Sequence, residues 1–165
     1  MYIDHSAQFM SLAASSISDL DLAPHAKAGA ESLVKDFGST IVFTSGRRSV
    51  DDQCRVMAEN VVTQGRDWIA KTYKAGKELQ DWVDANPQAK TVEEIKEGLF
   101  SIMNTWSEAK LKAISYHLVG AAFDLLPVSD PNGTKIKTAI QQLANKRTFL
   151  DGESGVKVWH VDFNE

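Results

Sequence analysis

The sequence is short of several things, and each shortage removes a class of protein. One cysteine, Cys54, stands among 165 residues, so neither an intramolecular disulfide nor a cysteine-rich metal site can form. Lys and Arg number 18 against 22 Asp and Glu, a formal net charge of −4. That balance, with no dense basic run, argues against a nucleic-acid partner. No stretch is apolar enough to insert in a membrane, and Met1-Tyr2-Ile3-Asp4-His5 lacks the cationic start and apolar run of a signal peptide. Synthesis in the cytoplasm is expected. Internal repeats, coiled-coil heptads and low-complexity tracts are absent too. What is there, 43% hydrophobic and 24% charged, suits a globular protein with a single domain over residues 1–165.

Periodicity orders the chain. A short helix is expected around residues 5–15, and Pro24 opens a second that Gly38 ends. Ser39–Thr44 reads as a strand, with Ser45-Gly46 turning out of it. Ser49 is a good N-cap for a helix over 50–63, with Asp51 and Asp52 in its first turn. Val50, Cys54 and Met57 share its apolar face, making Cys54 a small buried hydrophobe rather than a nucleophile. Ile69, Tyr73, Leu79, Trp82 and Val83 carry the helical pattern on to Asn86-Pro87. Thr91 and Glu94 form a capping box for the next helix, whose apolar face runs from Val92 to Trp106. Strand 121–126 ends at Pro127. Thr134 can cap a helix over 135–145, Thr148–Leu150 is a short strand, and 156–163 is the terminal one. Helices first, then strands with helices between them, predict an α+β fold with a small antiparallel sheet flanked by helices.

One stretch carries chemistry. Ser115-Tyr-His117-Leu-Val-Gly120-Ala-Ala122-Phe-Asp124 sets an imidazole and a carboxylate seven residues apart, so they cannot meet on adjacent turns of one straight helix. The spacing suits His117 closing a turn and Asp124 standing in the apolar run Ala121–Leu126. A carboxylate there needs a basic partner or a metal. Downstream, Trp159-His160-Val161-Asp162-Phe163 offers a second imidazole, with Asp162 on the same side of the strand as an acceptor for His160 or His117. Taken singly, each histidine is explained as a packed or solvated side chain. Taken together, two His and one Asp make a three-ligand zinc set with a fourth position for water. His5 and His25 have no motif around them, and the four tryptophans are core by default, Trp159 being placed to line a pocket.

These residues resemble the zinc D-Ala-D-Ala carboxypeptidase family, which includes phage endolysins that cleave peptidoglycan stem peptides. The resemblance rests on Ser115-x-His117-x-x-Gly120-x-Ala122-x-Asp124, on Trp159-His160-Val161-Asp162, and on the upstream Thr44-Ser-Gly-Arg-Arg48-Ser49, in that family's order. It implies Zn2+ held by His117, Asp124 and His160, and Arg48 binding and polarising the substrate carbonyl. Arg47, in the variable position, would reach a substrate carboxylate or be solvated, and Ser115 would order the turn. The implied activity is hydrolysis of a stem-peptide or cross-link amide by an endolysin-like D,D-peptidase. A monomer with peptidoglycan stem peptides as partner is expected, reaching the wall through a holin or within a virion, or acting as a bacterial cytoplasmic peptidase on recycled muropeptides.

One departure stands out. Many members of that family carry an acid three residues before the last ligand, and relatives carry a His two residues before it. Here those positions are Lys157 and Val158. A normal lysine is protonated at neutral pH and a valine carries no proton. The proton-transfer role then falls to Glu153 or Asp151 in the preceding turn, or to Lys157 with a depressed pKa. Glu153 is preferred, because its loop enters the strand bearing His160. The alternative is a zinc-binding member without activity, a structural or cell-wall-binding phage protein.

Overall fold

The computed structural model describes residues 16–151 and 158–165. The helix expected around 5–15, His5, and the start of the terminal strand at 156–157 lie outside the described residues. Within them the fold is α+β: seven α-helices and one four-stranded antiparallel sheet. The chain divides into two units, one comprising Met1–Arg47 with Gly120–Glu165, the other Arg48–Val119.

The first unit holds the sheet. Its strands are β1 (Phe43–Ser45), β2 (Ala122–Leu125), β3 (Lys146–Leu150) and β4 (Trp159–Phe163), in the order β1-β2-β4-β3. Across β2 and β4, Asp124 pairs with His160, Ala122 with Asp162, Phe123 with Val161 and Leu125 with Trp159. Because side chains alternate at period 2, this register sorts the two faces. Phe123, Leu125, Trp159, Val161 and Phe163 share one face and one hydrophobic core. Asp124, His160 and Asp162 take the other.

Two helices belong to that core. In α1 (Pro24–Phe37), Ala26, Gly29, Ala30 and Leu33 form a buried i, i+3, i+4, i+7 stripe. In the helix over Asn132–Gln141, Ile136 and Ile140 are buried. That helix begins three residues before the expected Lys135: Pro131 stands at its N-cap, and a first-turn N–H is met from just outside the helix by Asp130. Its Oδ1 accepts from the Thr134 backbone N–H at 2.9 Å and from the Thr134 hydroxyl at 2.6 Å. Trp159 is a core residue rather than a pocket wall, edge-on to Phe149 at 6.2 Å.

β1 is shorter than the run suggested. Gly38–Thr40 coils as a 3-10 turn, and only Phe43–Ser45 pairs. Its register with β2 slips: Phe43 faces Leu125 while Ser45 faces Asp124, two steps on β1 against one on β2. This is a bulge, and it explains why two odd-numbered neighbours serve opposite faces. Phe43 stacks edge-on to Phe123 at 5.3 Å in the core, whereas Ser45 meets Asp124.

The second unit is helical: α2 (Val50–Gln64), α3 (Trp68–Thr72), α4 (Lys77–Ala85), α5 (Val92–Met103) and α6 (Glu108–Ile114), then a 3-10 turn over Tyr116–Val119. The Asn132–Gln141 helix of the sheet unit is thus α7. Ser49 and the Thr91–Glu94 box cap α2 and α5 as expected. The continuous pattern expected from Ile69 to Val83 is instead two helices, because each closes the other's end. The Gln80 side chain of α4 accepts the Ala70 N–H at the start of α3 at 3.0 Å. Arg66, just before α3, donates to the carbonyls of Val83, Asn86 and Ala89 where α4 stops, filling the acceptors a helix end leaves open. Ser107 caps α6, a helix the pattern through Trp106 concealed. Gly98 in α5 leaves room for the Trp82 ring: a Cβ there would lie 1.9 Å from Trp82 Cζ2.

Candidate metal centre

His117, Asp124 and His160 each bring a ligand atom within 4.8 Å of the other two. Local structure accounts for each placement. His117 sits in the 3-10 turn Tyr116–Val119, where its backbone N–H donates to Ser115 Oγ at 3.3 Å and its carbonyl accepts from the Arg48 N–H at 3.0 Å. Ser115 therefore orders this turn. Gly120 follows at φ +73°, a left-handed conformation that glycine adopts without strain. A Cβ on it would also press on the Asp21 carbonyl and the Arg47 guanidinium, each 2.8 Å away. The glycine serves this close packing.

Asp124 lies on β2, where all four residues are buried. Its Oδ2 accepts from Ser45 Oγ at 2.6 Å, and its Oδ1 stands 2.8 Å from His160 Nδ1. The other His160 nitrogen, Nε2, is 3.5 Å from Asp162 Oδ2, and Asp162 is joined at 3.3 Å by Arg147 Nη1. The face thus carries a chain of paired charge from Arg147 through Asp162 and His160 to Asp124, ended by the Ser45 hydroxyl. Burial works against the charged form of His160, but contacts with Asp124 and then Asp162 outweigh it and raise its pKa to about 9. Burial likewise pushes Asp162 up, but His160 and Arg147 prevail and hold its carboxyl below the usual range.

The donors fit a divalent transition metal. Two imidazoles and a carboxylate suit zinc, and His160 already has a carboxylate beside it, as ligating imidazoles usually do. Bond lengths of about 2.0–2.2 Å put the donors of a tetrahedral zinc about 3.4 Å apart. That falls between the 2.8 Å of the Asp124–His160 pair and the 4.8 Å limit of the set. Coordination requires an unprotonated ring nitrogen, so zinc would displace the proton that now joins this pair.

The remaining candidates divide. Arg48 is half-buried, and its Nη1 donates to Gln53 Oε1 at 3.1 Å. Arg47 is exposed and turned to Asp21, with Nε 2.7 Å from Oδ2 and 3.1 Å from the carbonyl oxygen. Glu153 and Lys157 lie outside the described residues. Asp151 bonds Lys137 at 2.9 Å, and Val158 is half-buried. His25 is a helix residue with Nδ1 2.6 Å from the Asn164 carbonyl. Cys54 is fully buried, and burial, then Asp51, pushes its thiol up to about 12.

Sequence reasoning missed Ser45, Gln53 and Arg147. The bulge hid Ser45. Gln53 could have been found, since 50, 53, 54 and 57 are one stripe of α2 and a polar side chain on it must be buried. Nothing local to Arg147 marks it, because its partner lies across a strand. No family model, curated protein or solved structure matches the chain. Among the described residues, no helix is long and apolar enough to cross a membrane.

Proposed function

We propose that this protein is a zinc-dependent peptidase that hydrolyses an amide of peptidoglycan stem peptides, in the manner of an endolysin-like D,D-peptidase. The convergence of His117, Asp124 and His160 carries the reading. These three would hold the zinc, which when bound supplies a Lewis acid and an ionisable water for amide hydrolysis. Ser45 and Asp162 hold Asp124 and His160 in orientation. Arg48 would donate to the scissile carbonyl oxygen as negative charge gathers on it. Glu153 is the residue assigned to carry the proton between water and leaving amine. The small antiparallel sheet with helices is the architecture this resemblance implies. The partner is a stem peptide, the working form a monomer, and the place of action the cell wall, reached through a holin or within a virion.

The test is digestion of purified peptidoglycan with and without a chelator, with mass spectrometry of the products. New amine termini that vanish with chelator are expected, and the fragment masses name the scissile bond. His117→Ala should lose zinc and hydrolysis together; unchanged hydrolysis would overturn the site. Lys157 in the sequence position where that family carries its catalytic acid favours a second reading, a zinc-binding protein without hydrolysis. Zinc uptake with no release of fragments from sacculi would establish it. Glu153→Gln with near-normal turnover would remove Glu153 from the mechanism.

A further inference from the structure

Gln53 is the polar residue that the helical core has least reason to hold. It is fully buried in α2, on the stripe that carries Cys54 and Met57. A buried amide without partners costs roughly 2–7 kcal/mol against an apolar medium, so its partners are the reason it can stay. Both ends are used. Oε1 accepts from Arg48 Nη1 at 3.1 Å, and Nε2 donates to the Tyr73 hydroxyl oxygen at 3.2 Å. Tyr73 is partly buried between α3 and α4 and is packed edge-on against Trp68 at 5.6 Å. A guanidinium only donates, so Arg48 takes the Gln53 carbonyl oxygen, and the amide that remains is anchored by donating to the Tyr73 hydroxyl. Ser49 starts α2 between the arginine and the glutamine, and its side chain accepts the Asp52 N–H at 3.0 Å. The start of the helix is therefore fixed as well.

From this relay we infer that Gln53 and Tyr73 are positioning residues that hold the Arg48 guanidinium in one orientation. The inference deepens the proposed peptidase and rests on it for the role of Arg48. A flexible arginine would have to be ordered each time charge develops on the carbonyl oxygen, whereas a guanidinium already fixed by an uncharged acceptor keeps its charge and its other N–H groups for the substrate. A carboxylate in place of Gln53 would neutralise it. An amide orients it without doing so.

Two measurements test the relay. In the first, arginine side-chain NMR of the zinc-loaded protein without substrate should show restricted rotation of the Arg48 guanidinium. Gln53→Met should abolish the restriction and Tyr73→Phe should weaken it, while the fold is retained by circular dichroism. In the second, Gln53→Met should lower kcat on stem peptide by on the order of tenfold or more, with KM and zinc content little changed. The same substitution in an Arg48→Ala background should cost nothing further, since the relay then has nothing to hold. An unrestricted guanidinium in the parent protein, or an equal loss from Gln53→Met in both backgrounds, would overturn the inference. If the parent protein releases nothing from peptidoglycan, the peptidase reading fails, and the NMR measurement alone decides whether the relay holds Arg48.

Discussion

The two units bury polar side chains of different kinds. The sheet unit hides the carboxylates Asp124 and Asp162; the helical unit, His117 apart, hides the amides Gln53 and Gln80. A buried charge demands a countercharge, whereas a buried amide needs only hydrogen bonds. Each unit obeys its own rule. Asp162 is matched by Arg147 and His160, and Asp124 by His160 with a hydroxyl from Ser45. Gln80 is satisfied by Ala70, Arg66 and Asp84, all groups of its own unit. The contrast separates architecture from chemistry. Gln80 ties short helices together, and a fold could do the same work in other ways. Two aspartates on one face of a four-stranded sheet have no such substitute, since a hydrophobic face would be more stable.

The contrast can be broken at either end. The largest effect is expected from Asp124→Asn, which keeps the shape but removes the charge. Zinc affinity measured by competition with a chromophoric chelator should fall by more than about 100-fold, exceeding the loss usual for outer partners of a ligand. In the helical unit, Gly98→Ala forces a methyl against the Trp82 ring and should cost about 3 kcal/mol, lowering Tm by about 6–12 °C in calorimetry. Gln80→Leu should cost about 2 kcal/mol in urea unfolding, because the Ala70 N–H and Arg66 carbonyl lose their partner. Smaller still is a pH effect. Unfolded Cys54 loses its proton near 9, whereas the folded thiol keeps it until about 12. The unfolded state then binds fewer protons, so stability is complete below pH 9 and falls as pH rises. The loss should be about 1 kcal/mol at pH 10, and Cys54→Ala should remove it.

Much of the candidate centre was legible because its logic is local. Asp124 announces itself as a charge in an apolar strand, and His160 and Asp162 keep the period of theirs. The helix caps Ser49 and Thr91 were equally plain, each being a polar side chain beside the N–H it bonds. What escaped depends on distant partners. The break between α3 and α4 is decided by Arg66 and Gln80 reaching across 10 to 23 residues, which a periodic pattern cannot register. Thr134 looked like a cap, but Asp130 outcompetes it with a carboxylate one turn earlier.

The bulge in β1 has its own effect on the carboxylate. Had the ladder run without a slip, Thr44 would stand where Ser45 now meets Asp124. The inserted step divides the two oxygens of Asp124 between two duties, Oδ2 tethered to the scaffold and Oδ1 turned toward His160. The residue displaced by that division is left over: the Thr44 hydroxyl is buried with no hydrogen-bond partner among the described residues. Thr44→Val should therefore raise stability, by about 1 kcal/mol in urea unfolding, and leave zinc affinity as it was. A fold that keeps an idle hydroxyl to aim a neighbouring one has traded rigidity for direction, and Thr44 marks where the trade was made.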